Sequence, residues 1–338
     1  MKRLFLTVIA LSVASLICDA CTSAIVAASR SATGRPILWK NRDTGADNNF
    51  LARVEPTDST FGFIGLFNAG DSTLSEAWMG MNDVGFAIMN TASYNLAPDT
   101  ATFKDREGVV MAAALARCRT VADFEQLLAE WPRPMGVQAN FGVIDACGGA
   151  AYFETDDYDW TRFDVADDSR GYIVRTNFSV TGRAGEGFGY IRYNAAEHLI
   201  EQATEIVPQL FVDGLSCSYY HGLTGQDYLA EGERYVADRD FIPRDITTAS
   251  IAIEGVNSQA DIDSMTMWVA LGYPPCAPLY KVEGCEIPAK LAPSGAGYRS
   301  EACDESIRLR DAARPFAGGS GSNYLDLDKI RDCIRRFK

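Results

Sequence analysis

The sequence predicts a layered α+β fold. Its strand-like runs come in hairpin groups, its helical stretches come in consecutive groups, and the two do not alternate as they would around a parallel sheet. No internal repeat is present in the 338 residues. Positions 22–28 and 36–42, joined by the turn-rich Ser31-Ala32-Thr33-Gly34, read as the two strands of a first hairpin. Further strands are expected at 61–67, 84–90, 137–145, 150–154 and 172–176. Between them, 107–117 and 121–131 have apolar residues at three- and four-residue spacing and are expected as helices. A third helix is expected over 188–202, with shorter helical pieces up to about Tyr235. Strands resume at 248–254 and 265–271, and a last helix is expected over 325–337. The only linker-like stretch, Gly318-Gly319-Ser320-Gly321-Ser322, is too near the end to divide domains.

The first twenty residues read as an export signal. Lys2 and Arg3 precede an apolar run over 4–17, and Cys18-Asp19-Ala20 gives the small-x-small pattern at which signal peptidase cuts. The run is short for a spanning helix. Neither Cys18 nor Cys21 has the flanking residues of a lipid-anchored cysteine. The expectation is cleavage after Ala20, a secreted or periplasmic protein without a membrane anchor, and one domain over 21–338. A net charge of −14 argues against nucleic acid or an anionic membrane as a partner and says nothing about the reaction. The oligomeric state stays open, a homo-oligomer included.

Of nine cysteines, those after residue 20 are Cys21, Cys118, Cys147, Cys217, Cys276, Cys285, Cys303 and Cys333. In an oxidising compartment they are able to pair. Cys276–Cys285 and Cys303–Cys333 are expected as local bridges, although spacing does not fix the connectivity. No C-x-x-C pair follows residue 20, and the only histidines, His198 and His221, do not have metal spacing, so no zinc site and no cofactor are expected.

Cleavage after Ala20 would leave Cys21 with two reactive groups. A thiol with a pKa of about 8.5 is mostly protonated at neutral pH. An α-amine with a pKa of about 7.7–8.0 is partly neutral there and able to accept the thiol proton. Nucleophile and base then belong to one residue, and no distant histidine is needed.

Four segments in order support this reading. Cys21-Thr22-Ser23 with Gly34-Arg35-Pro36-Ile37-Leu38-Trp39-Lys40-Asn41-Arg42-Asp43 is the first, and Val84-Gly85-Phe86-Ala87-Ile88-Met89-Asn90 the second. Arg175-Thr176-Asn177 and Thr266-Met267-Trp268 with Leu271-Gly272-Tyr273-Pro274 follow. Together they resemble the choloylglycine hydrolase and penicillin V acylase superfamily of N-terminal-nucleophile hydrolases. The closest branch is the one related to acyl-coenzyme A:6-aminopenicillanic acid acyltransferases.

The resemblance implies a four-layer αββα sandwich and hydrolysis of a linear, non-peptidic amide through an acyl-Cys21 intermediate, with a small-molecule acyl amide as substrate. It implies that Asp43 holds the cysteine α-amine. Lys40 stands where relatives usually have an arginine near the sulfur, with Arg42 as the alternative cation. The backbone N–H of Asn90 and the side-chain amide of Asn177 would form the oxyanion hole; Asn177 also opens a glycosylation sequon, Asn177-Phe178-Ser179. Relatives carry an arginine where Ile251 stands, and Arg244 is the nearest substitute for meeting a substrate carboxylate, or else it pairs with Asp245. Trp78, Phe86 and Trp268 are candidates for an apolar acyl pocket or for core packing.

Two weaker signals are set aside. Gly185-Glu186-Gly187-Phe188-Gly189 is expected to be a helix entry rather than a phosphate loop. Cys217 with His221 has no third residue to make a protease triad. Three alternatives to amide hydrolysis remain: a secreted dipeptidase of the same nucleophile class, acyl transfer to an amine, and a binding protein that keeps the fold.

Overall fold

The computed structural model describes residues 20–98, 100–315 and 324–338. Apart from Ala20, the expected leader lies outside these residues, as does the Gly318–Ser322 stretch.

The strands are β1 (Thr22–Val26), β2 (Ile37–Asp43), β3 (Asn49–Val54), β4 (Phe63–Asn68), β5 (Met79–Asn82) and β6 (Ala87–Ala92). Helices α1 (Glu107–Arg117) and α2 (Val121–Glu130) follow, then β7 (Ala139–Ile144), β8 (Ala150–Thr155), β9 (Trp160–Asp164), β10 (Tyr172–Arg175) and α3 (Tyr190–Gln202). The last third has short β11 (Tyr220–His221), β12 (Gln226–Asp227) and β13 (Tyr235–Ala237), and then β14 (Thr247–Glu254), β15 (Thr266–Leu271) and β16 (Tyr280–Glu283). Helix α4 (Glu301–Ala312), β17 (Tyr324–Asp326) and α5 (Leu327–Phe337) complete it.

Two antiparallel sheets dominate. The first has the order β10-β1-β2-β14-β15-β16, and the second is a meander from β3 to β9 in chain order. Alternation along each strand builds the layers. In the first sheet Ile25, Leu38, Ile251, Ile253, Met267 and Val269 point into the space between the sheets. There they meet Leu51, Ile64, Leu66, Met79, Met89 and Tyr152 of the second sheet. The opposite parity of the first sheet, Ala24, Val26, Ile37, Trp39, Ala252 and Ala270, packs on α3 and on Phe211, Val212 and Leu215. The outer face of the second sheet, with Phe50, Ile88, Phe141, Val143 and Phe153, packs on α1 and α2 through Val110, Met111, Ala114, Phe124 and Leu128. Helix, sheet, sheet and helix make the αββα sandwich, and the central strands are apolar on both parities because both faces are buried.

Local chemistry fixes the element ends. The Thr120 side chain accepts from the N–H of Asp123, and the Asp123 carboxylate accepts from the N–H of Thr120, a capping box at the start of α2. Gly85, with φ of 86°, turns the chain between β5 and β6 where a Cβ would stand 2.6 Å from the Ala146 Cβ. The expected strand at 84–90 is therefore a turn followed by β6.

Three expectations are corrected. The shorter helical pieces expected up to Tyr235 are present at Leu210–Gly214 and Leu215–Cys217 but end there, and the β11–β12 hairpin and β13, which pairs with β17, take the rest of that stretch. The described residues hold no disulfide. Cys303, in the first turn of α4, points its thiol at the Thr248 carbonyl 3.8 Å away and not at Cys333. Cys285 is exposed beside Arg53, whereas Cys276 is buried under α5 with Cys333.

Candidate active site

Cys21 immediately precedes β1 near the centre of the first sheet. The β1–β2 register pairs Thr22 with Asn41 and Ser23 with Lys40, so Cys21 falls at the end of the ladder beside Arg42 and Asp43. Its thiol donates to the Asp43 carbonyl at 3.8 Å, and Cys21 is 5% exposed. Parity along β2 then separates two groups of side chains.

Asn41 and Asp43 lie on one side. Asp43 Oδ1 accepts from Asn41 Nδ2 at 3.0 Å and from Thr247 Oγ1 at 2.5 Å. Asp43 Oδ2 is buried and accepts no hydrogen bond; its nearest cation is Arg244 Nη1, 3.9 Å away. Burial pushes the Asp43 carboxyl up to about 6, while Arg244, Arg192 and the Thr247 hydroxyl pull it back.

Lys40 and Arg42 share the other parity. Lys40 Nζ donates to the Trp78 carbonyl at 3.0 Å and to Asn90 Oδ1 at 2.7 Å, so a β2 side chain of one sheet is tied to β6 of the other. Arg42 donates to Asn49 Oδ1 and sits 4.8 Å from the Trp78 ring centre. Cys21, Lys40, Arg42, Asp43, Trp78 and Asn90 line one cavity of about 230 Å³.

Asn177 lies just after β10 and is buried, as is Ser179 of its sequon, while Phe178 between them is half-buried. Its Nδ2 donates to the Ala92 carbonyl at 2.9 Å, and its Oδ1 accepts from Arg192 Nη2 at 2.7 Å. Arg192, in the first turn of α3, also donates through Nη1 to the Cys21 carbonyl at 2.7 Å and to Thr22 Oγ1 at 2.9 Å. One guanidinium thus joins the nucleophile candidate to the oxyanion candidate. Burial lowers the Arg192 pKa to about 10, and Asp43 opposes that fall. Sequence reasoning missed this residue. Its one signal is an arginine in a first helical turn, where a cation opposes the helix dipole.

Arg244 faces Asp43 and lines a second cavity of about 910 Å³ with Ala20, Tyr94, Asp105, Arg192 and residues 187–191 at the start of α3. Its aromatic lining is paired: Tyr190 stacks on Phe178 at 4.2 Å, and Tyr94 meets Phe188 edge-on at 5.6 Å. Tyr94 and Asp105 line both cavities. The glycines at 185, 187 and 189 have positive φ and form the entry to α3.

Three candidates lie elsewhere. Trp268 packs on the outer face of the first sheet, with Lys281 over its ring, and lines neither cavity. Phe86 is in the core under α1 and α2. Ile251 fills the space between the sheets opposite Lys40, and the guanidinium beside Cys21 comes instead from Arg192 on α3. His221 packs against Phe241 and Tyr228, while the Cys217 thiol bonds the Val212 carbonyl. Among the described residues no group of three or more histidine, cysteine or carboxylate side chains is placed to hold a metal, and no helix is long and apolar enough to cross a membrane.

The fold and site define an αββα sandwich built around one thiol at the start of a central strand. No family model matches the chain, and no curated protein does. Solved structures that are similar include a Caenorhabditis elegans N-acylethanolamine-hydrolyzing acid amidase ortholog, 14% identical, covering 74% of this chain and 99% of its own, with a TM-score of 0.47. A mutant of the conjugated bile acid hydrolase from Clostridium perfringens is 11% identical over 77% of this chain and 92% of its own, with a TM-score of 0.46. Penicillin V acylase from Agrobacterium tumefaciens is 10% identical over 79% and 87%, with a TM-score of 0.42. At these values the likenesses carry no weight beside the site's own geometry.

Proposed function

We propose that this chain is a cysteine N-terminal-nucleophile hydrolase of linear, non-peptidic amides, exported and cut between Ala20 and Cys21. The observation that supports it best is Asp43 Oδ2, a buried carboxylate oxygen with no hydrogen-bond donor beside the residue whose amine the cut would release. An α-ammonium there would supply the missing donor and a compensating charge.

In this reading the Cys21 α-amine takes the thiol proton, and the thiolate attacks the substrate carbonyl. The side-chain amide of Asn177 and the N–H of Asn90 are offered to the developing oxyanion, with Arg192 holding the Asn177 amide by its oxygen. The ammonium of Cys21 then protonates the leaving amine, which departs to give a thioester. Water, deprotonated by the same amine, attacks that thioester and restores the thiol. Lys40 fixes the Asn90 side chain from within the cavity. Arg244 is offered to an anionic group of the substrate from the larger cavity. No step uses a cofactor.

The test compares a form beginning at Cys21 with one carrying a single uncleavable residue before it. Both are checked by mass and circular dichroism and assayed on N-acyl amides, penicillin V, conjugated bile salts and dipeptides. Hydrolysis of the acyl amides only by the first form is the expected result, with an acyl adduct on Cys21 in quenched samples. Comparable turnover by the extended form would refute the α-amine as base, and a preference for dipeptides would refute the substrate class.

A further inference from the structure

We propose that Cys276 and Cys333 form a disulfide that ties the C-terminal helix α5 to the turn after β15. Cys276 closes the short 3-10 turn Pro274–Cys276 and is fully buried; Cys333 lies on α5 and is half-buried. Both belong to the apolar cluster of Tyr219, Tyr273, Leu325, Leu327 and Ile330, where α5 packs directly on the Pro274–Cys276 turn, and each thiol is the other's strongest electrostatic neighbour. Two cysteines on elements that pack on each other need only a small side-chain adjustment to reach a bond of about 2.05 Å. The other thiols have different partners or surroundings. Cys303 and Cys217 bond backbone carbonyls, Cys118 is buried among α1 and α2, and Cys285 is exposed beside Arg53.

The chemistry needs an external disulfide, such as oxidised glutathione or the disulfide form of a thiol oxidoreductase. Cys333 is the more accessible thiol. Its interaction with Cys276, helped by Arg336, lowers its pKa to about 7, against the opposing effect of burial. The Cys333 thiolate attacks the donor disulfide, forming a mixed disulfide and releasing one thiol. Cys276, which the same interaction and burial hold protonated, loses its proton as it displaces the second donor thiol. Two protein thiols become one disulfide, and their two electrons and two protons reduce the donor to two thiols.

The bond would brace more than a terminus. Helix α5 follows β17, which pairs with β13, and Arg310 and Arg314 at the end of α4 hold the Asp245 carbonyl at 2.6 and 3.0 Å. Arg314 also stands 3.6 Å from Asp238. This assembly backs the segment that presents Arg244 to Asp43.

The test incubates the reduced full chain with oxidised glutathione, blocks residual thiols by alkylation, and maps peptides without reduction. The expected product is a cross-linked pair of peptides containing Cys276 and Cys333. It should be accompanied by a gain of several degrees in melting temperature that the exposed-side variant Cys333→Ser does not show. Both cysteines singly alkylated or left glutathionylated, or a linkage of Cys276 to Cys285 or of Cys303 to Cys333, would overturn the proposal. A cross-link without a change in melting temperature would overturn the claim that it ties down α5.

Discussion

Releasing the α-amine of Cys21 should weaken, and at the strongest pairing reverse, the way Asp43 couples pH to stability. In the chain that carries Ala20, burial raises the Asp43 carboxyl from 3.8 to about 6, with Arg244, Arg192 and Thr247 opposing the rise and Asp245 adding to it. A folded pKa above the unfolded one means that ionisation works against folding. The favourable contribution is complete below about pH 3.8 and is lost as pH rises through about 6. A shift of this size on a fully buried group corresponds to about 3 kcal/mol. An ammonium placed against Oδ2 should lower the same pKa by about 1–3 units. The form beginning at Cys21 should therefore gain about 1–4 kcal/mol on the Ala20-bearing form between about pH 4 and pH 7. Urea unfolding of both forms across that range measures it, with Asp43→Asn in each as control. Asp238, which burial raises to about 7, is common to both forms and cancels in the difference. Parallel stability curves for the two forms would refute the pairing of Asp43 with the amine.

Other outcomes follow from the same geometry. Arg192→Lys keeps the charge but loses the fork that joins the Cys21 carbonyl to Asn177 Oδ1, so kcat should fall about 10²-fold in a protein that still folds; an unchanged kcat would remove Arg192 from the site. Asn177→Ala should lower kcat about 10²–10³-fold with a smaller effect on KM, measured on the best acyl amide found. Thr120→Ala removes the cap of α2, far from Cys21, and should cost about 1 kcal/mol in urea unfolding while leaving turnover alone.

The sequence made the inner strands legible and the outer ones less so. Strands β1, β2, β14 and β15 are apolar on both parities because helices cover one face and a second sheet the other. Strand β9 is an edge with exposed Thr161 and Arg162, and β5 is four residues with a glycine, so neither stands out as a run. Helix α4 is largely polar and rests on a narrow strip of Ala302, Cys303 and Ser306, too small a signal to separate from loop. At the site, Cys21, Lys40 and Asp43 come together through one hairpin, whose register is local. Arg192 reaches Cys21 across 171 positions, a contact that no local pattern announces. For Trp268 the alternation was readable, but which parity faced the second sheet was not; Met267 and Val269 take that side and turn the tryptophan outward.

Ala20 is 3% exposed and Cys21 5%, so the bond between them is enclosed once the chain has folded. A protease needs the residues at the bond extended in its own cleft, and Ala20 and Cys21 are withdrawn from the surface. In the proposed reading, a cut here would be made on the nascent, still open chain. Timing, in that case, replaces inhibition: the cell would hold no store of folded precursor awaiting activation, and a chain that folded uncut would keep its peptide nitrogen for as long as it stayed folded. The ratio of the two forms in a preparation would then record how fast export ran relative to folding.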